Sequence, residues 1–99
     1  MQRNELVKYL NQLFQADKFK DYCPNGLQIE GTAEINKIVC GVSLSQELID
    51  YAISQNADAI IVHHGIFWNK DAYQITGIKY QRIAKLIKHD INLIAYHLP

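Results

Sequence analysis

The tetrapeptide Val62-His63-His64-Gly65, directly behind Ala59-Ile60-Ile61, constrains this chain more than any other stretch. The apolar run has no polar alternation, the pattern of a strand buried on both faces. Two adjacent imidazoles then stand where such a strand leaves the sheet. Neighbouring side chains on extended backbone point to opposite faces, so both rings serve one site only if the chain turns there. Gly65 permits the turn, because a residue without Cβ reaches dihedrals that others resist. Neutral imidazole ligates Zn, Fe, Ni and Co, and open α/β folds hold ligands at the carboxyl ends of their strands. A helix cap or a satisfied core histidine is the alternative for either ring alone. The pair in this position points to a metal.

With 99 residues the chain makes at most one small domain, able to bury roughly two thirds of its unfolded surface. Its hydrophobic share of 48% is that of a globular chain. Ten basic and ten acidic side chains cancel, which argues against a general nucleic-acid binder or a polybasic membrane-surface protein. The charges are unevenly spread: residues 1–65 hold five basic and eight acidic groups, residues 66–99 five and two. Lys79, Arg82, Lys85 and Lys88 recur at intervals of three. They read as a solvated helix face, with mild attraction of a phosphate-bearing ligand as the functional alternative. Cys23 and Cys40 lack metal-type spacing. No apolar stretch approaches the ~20 residues of a membrane span, and no secretory h-region is present, so a reducing, cytoplasmic setting is expected.

Hydrophobic periodicity predicts a first helix over residues 5–16, with Asn4 as N-cap and Leu6, Leu10, Leu13 and Phe14 on its apolar face. Pro24-Asn25-Gly26 is a turn, and Leu27 to Glu30 alternates like a short exposed strand. A strand follows over Ile35–Val42. Ser43-Leu-Ser-Gln46 fits a capping box that opens a second helix, with Leu48, Ile49, Ala52 and Ile53 inward and Asn56 closing it. Asp58–His63 is the next strand, and Ile78–His89 a third helix with Tyr80, Ile83, Ala84, Leu86 and Ile87 facing inward. Ile91–His97 is the last strand. From residue 35 the order is β-α-β-α-β, which right-handed crossovers wind into a parallel sheet with helices packed on it. Ser43, His63, His64 and His97 then open on one rim.

His63, His64 and His97 are therefore the candidate metal ligands. A carboxylate is wanting; Asp71 and Glu30, both on loops, are the nearest acids the pattern offers. His89 sits at a helix end, where it complements the dipole. Ser43 and Ser45 lack a nucleophile elbow and read as caps. Cys23 has no adjoining base to lower its pKa. Gly31, Gly41 and Gly65 are too scattered for a phosphate-cradling loop. Phe67-Trp68 either walls a pocket above the metal or packs in the core.

Three stretches, Asp21-Tyr-Cys-Pro-Asn-Gly-Leu-Gln-Ile-Glu-Gly31, Ala57-Asp-Ala-Ile-Ile-Val-His-His-Gly-Ile-Phe-Trp68 and Asp90-Ile-Asn-Leu-Ile-Ala-Tyr-His-Leu-Pro99, resemble the YbgI branch of the Nif-three-like proteins, the GTP cyclohydrolase I type 2 homologues. The resemblance covers essentially the whole chain. It implies a dinuclear site with His63 and His64 as ligands and His97 as a ligand or close neighbour of the metals. Two divalent ions per complete protein (Zn, Fe, Ni, Co or Mn) and a ring-shaped homohexamer are implied as well. The implied activity is hydrolytic opening of GTP to formate and dihydroneopterin triphosphate. Members are more than twice this long, with further His and carboxylate ligands outside the matching part. The expectation is thus a single incomplete α/β domain over 1–99, the N-terminal portion of a larger two-lobed fold. A non-catalytic metal-binding, metal-delivery or regulatory interaction protein is the alternative.

Overall fold

Ile60 and Leu93, both fully buried, lie side by side at the centre of a four-stranded sheet. The computed structural model describes residues 1–99. Its strands are β1 (Gly26–Ile29), β2 (Ile38–Cys40), β3 (Ala59–Val62) and β4 (Asn92–Ala95), in the order β1-β4-β3-β2. β2, β3 and β4 run parallel, as the alternating pattern predicts, and β1 pairs antiparallel with β4. Helices α1 (Arg3–Leu13), α2 (Gln46–Ser54) and α3 (Gly77–Lys88) complete the framework, with one 3-10 turn at Ala16–Lys18. None of them is long and apolar enough to cross a membrane.

The sheet is covered on both faces, which is why β3 reads as an unbroken apolar run. Ile60, Val62, Leu93 and Ala95 pack with Ile49 and Ala52 of α2 and Ile83 and Leu86 of α3. Ala59 and Ile94 face the other way, onto Leu6 of α1, Ile35 and Tyr96. Fully burying a side chain the size of Ile60 or Leu86 contributes about 1.5–3 kcal/mol.

Several local expectations are corrected. β1 is no exposed strand: Gly26 is buried against Asn11 of α1, and Ile29 packs into the main core with α2 and α3. β2 keeps three ladder residues; Ile35 leaves the strand to pack beneath α1. α1 begins two residues early, with Gln2 rather than Asn4 as its N-cap. The Met1 amine and the Gln2 amide both donate to Glu34, at 2.9 and 2.8 Å, and pull the helix start toward that segment. Ser45, rather than Ser43, caps α2 by accepting the Leu48 N–H at 3.1 Å. Tyr80 and Ile87 of α3 are 56% and 57% exposed, since the helix buries only the narrow stripe of Ile83 and Leu86.

Both crossover helices end in the same way. Asn56 and Asp90 take the left-handed conformation, each with φ of 54°. After α2, the Asn56 and Ala57 amides donate to Ile53 and Ala52; after α3, the Asp90 and Ile91 amides donate to Ile87 and Leu86. These paired reversed bonds form Schellman caps, and they turn the chain straight into β3 and β4.

Candidate metal centre

Parallel register places the ends of β2, β3 and β4 on one rim of the sheet. The His63 and His64 amides both donate to the Val42 carbonyl, at 2.9 and 2.8 Å. Two successive amides on one oxygen mark a break in the strand's alternation, and the break lets two adjacent rings share a site. The Tyr96 amide donates to Val62 at 3.0 Å, which sets His97 beside them. Ring centroids lie 4.2 Å apart for His63 and His64, 4.9 Å for His63 and His97, and 5.4 Å for His64 and His97. One ring nitrogen from each lies within 4.8 Å of the other two. His63 is exposed and the other two are half-buried. All three candidate ligands therefore converge.

Gly65 serves this turn differently from the expectation. It is absent from the positive-φ positions, so no special dihedral is needed. A Cβ there would collide with the Gln28 carboxamide and come within 3.0 Å of the Ala95 Cβ. The Gln28 side chain accepts the Ile66 N–H at 2.9 Å and donates to the Pro24 carbonyl at 2.9 Å, tying the histidine loop to the turn before β1. The glycine is required for close approach.

Each ring is held through Nδ1. His63 Nδ1–H donates to the Tyr96 carbonyl at 3.2 Å, and His97 Nδ1–H to Asp21 Oδ1 at 2.8 Å. A carbonyl and a carboxylate only accept, so Nδ1 carries a proton in both rings and Nε2 is the nitrogen without a protein hydrogen-bond partner. His64 Nδ1 meets Ser43 Oγ at 2.9 Å, a hydroxyl that serves either tautomer. Burial, followed by the nearby charges of His63 and His97, pushes the His64 imidazole below its usual pKa and favours its neutral form. Neutral imidazoles with Nδ1 engaged by an acceptor are what metal ligation through Nε2 requires. The donor set fits a divalent ion of the Zn, Fe, Ni or Co type.

Asp21 is the carboxylate that sequence reasoning did not find. Asp71 and Glu30 do not fill the role: Glu30 pairs with Arg3 at 3.3 Å, and neither acid joins the groups whose ligand atoms converge at the histidines. Burial disfavours the charged form of Asp21. Hydrogen bonds from Asn25, His97 and the Leu98 and Tyr22 amides outweigh it and hold the carboxyl well below the usual range. Cys23 stands close enough to Asp21 and His97 to form a second potential ligand group. Burial, reinforced by the Asp21 charge, pushes its thiol pKa up, and a thiol held protonated is a poor ligand.

Trp68 meets His97 edge-on at 5.1 Å and lies 5.9 Å from His64, while Phe67 packs against the main core. Phe67 serves both readings, since it also lines the cleft that Trp68 walls. Beside the triad lies a cleft of about 650 Å³, walled by Trp68, Phe67, Pro24, Asp71, Tyr73 and Lys79. His89 caps the exposed end of α3, outside the triad, as expected.

A profile of the Duf34/NIF3 (NGG1p interacting factor 3) family matches residues 1–99. A GTP cyclohydrolase 1 type 2 homolog from Haemophilus influenzae is 57% identical over 99 residues, spanning 100% of this chain and 39% of that protein. Among solved structures, the protein ybgI, of unknown function, shares 45% identity with a TM-score of 0.98, over 100% of this chain and 40% of its own. A protein from Thermus thermophilus gives 37% and 0.95, over 100% and 41%. The chain thus spans about two fifths of the relatives it matches.

Proposed function

The chain belongs to the Duf34/NIF3 family, and we propose that it contributes the histidine half of a divalent-metal site in a hydrolase of the GTP cyclohydrolase 1 type 2 kind. One observation carries the reading: three rings from two strand ends converge, and each has Nδ1 occupied by a neighbouring group. His63 and His64 would anchor the ion, with His97 supporting. A bound divalent ion supplies Lewis acidity and lowers the pKa of a coordinated water.

The protein's own residues do the rest. Tyr96, Asp21 and Ser43 orient the rings. Trp68 shields His64 and His97 on one side and walls a cleft large enough for a nucleotide-sized substrate. GTP, opened to formate and dihydroneopterin triphosphate, is the proposed substrate of the complete protein. Two ions per complete protein and a homohexameric assembly belong to the same proposal. So does a cytoplasmic setting, which the unpaired Cys23 and Cys40 fit.

Replacing His63 and His64 together by Ala is expected to abolish stoichiometric uptake of Zn or Co by the complete protein, read by elemental analysis. Unchanged metal content would refute the site. Formate release from GTP by the metal-loaded complete protein then separates a hydrolase from a metal-delivery protein.

A further inference from the structure

We propose that Asp21 is the positioning residue of this centre: its buried carboxylate fixes the His97 ring as the Nδ1–H tautomer and so keeps Nε2 bare for a divalent ion. The inference rests on the metal-binding reading above and assigns a specific task to a residue 76 positions from its target.

The side chain of Asp21 is only 2% exposed, and no Lys or Arg pairs with it. A buried carboxylate persists only where donors replace its lost water. Four do so. Oδ1 accepts the Tyr22 N–H at 2.6 Å and His97 Nδ1–H at 2.8 Å; Oδ2 accepts Asn25 Nδ2–H at 3.0 Å and the Leu98 N–H at 2.8 Å. A carboxylate has about four lone-pair positions, so this one is saturated and has none left for a metal. Asp21 therefore acts through His97 and is not a ligand itself.

The arrangement demands a carboxylate in particular. An amide at this position would offer one oxygen and turn its NH2 toward two N–H donors. Asn25 completes the hold, accepting the His97 backbone N–H at 2.8 Å on Oδ1. Ring and backbone of His97 are thus gripped by one short turn. The Asp21 charge also makes His97 Nε2 a stronger donor, as carboxylates behind metal-bound imidazoles do.

The test uses the full chain. Nitrogen-15 correlation spectra of the imidazoles, recorded without metal at neutral pH, should show wild-type His97 with its proton on Nδ1. Asp21→Ala should release the ring to a mixture that includes the Nε2–H form and weaken Co binding by about 10–100-fold. Asn25→Ala disturbs the same turn but leaves the carboxylate on the ring. It should keep the tautomer and lose less than tenfold. Wild-type His97 in the Nε2–H form overturns the proposal without any variant having to fold. So do an Asp21→Ala protein that keeps the wild-type tautomer and affinity, and an Asn25→Ala protein that loses both as fully as Asp21→Ala. Because the tautomer is read without metal, an Nδ1–H His97 in a protein that takes up no Co or Zn refutes the metal-binding reading instead.

Discussion

Asn92 is fully buried, and its side chain joins three segments that share no local sequence. Its Oδ1 accepts the Gly31 N–H at 2.7 Å, while Nδ2 donates to the Thr32 and Asp58 carbonyls at 2.8 and 3.0 Å. The exit of β1, the entry of β3 and the start of β4 are thereby fastened at one point. Asn92→Ala leaves the Gly31 N–H and the Thr32 carbonyl without that partner, while the Asp58 carbonyl keeps the Asn92 backbone N–H, at a cost of about 2–3 kcal/mol. Urea denaturation should show the midpoint fall with its slope unchanged; a loss below about 1 kcal/mol would mean that water replaces the amide. At this scale the sequence was legible where chemistry and position coincided. His63 and His64 followed an evident strand, and His97 ended another. Gly65 was legible as necessary but for the wrong reason, because the Gln28 carboxamide that crowds it lies 37 positions away. Asp21 was illegible: nothing in its neighbourhood points to residue 97.

That gap has its cause in the elements. Crossover handedness fixes β2, β3 and β4 from the alternating pattern alone. The pairing of β1 with β4, Leu27 opposite Ile94, is a long-range choice that no local period encodes. It is this antiparallel pairing that carries the turn before β1 to the exit of β4, and so Asp21 to His97. The helices were legible in existence and less so in orientation. Tyr80 and Ile87 match the apolar period of α3 yet lie outside the stripe it buries. Across the two crossover helices, Lys85 of α3 donates to Asp50 of α2 at 2.8 Å. The hydrogen bond from Lys85 holds the Asp50 carboxyl below its usual pKa, against a smaller opposing effect of burial. A carboxyl depressed in the folded state stabilises above its unfolded pKa of about 3.9, and the contribution is lost as pH falls through the folded value. Lys85→Met should therefore cost a small increment of stability at pH 7 that vanishes near pH 2 and in concentrated salt. An equal loss under all three conditions would show packing, rather than the ion pair, to be responsible.

Taken whole, the molecule is a three-layered unit whose sheet has free edges at β1 and β2. The sheet ends at β2, whose outer edge has no partner strand. Ile38 and Val42 are 41% and 69% exposed, and Cys40 between them is exposed as well. With period 2 Ile38 and Cys40 share one face, and Val42 stands exposed at the bend just past β2. It is the face that carries α1 over β3 and β4, since Ile38 and Cys40 pair with Ala59 and Ile61. Apart from its three-residue length, nothing in Ile38–Cys40 blunts this edge: the strand has no Pro, no bulge and no charge. The chain spans about two fifths of the relatives it matches. A chain of these 99 residues by itself leaves the edge open. It should bind a hydrophobic dye and self-associate in a concentration-dependent way by sedimentation. Val42→Lys places a charge beside the exposed pair without touching the core, and should reduce both signals while leaving the thermal midpoint nearly unchanged. Dye binding that persists in Val42→Lys would move the sticky surface to the exposed Tyr80 and Ile87 of α3. A wild-type chain that stays monomeric and binds no dye would show that the β2 edge is adequately protected by its own twist and length.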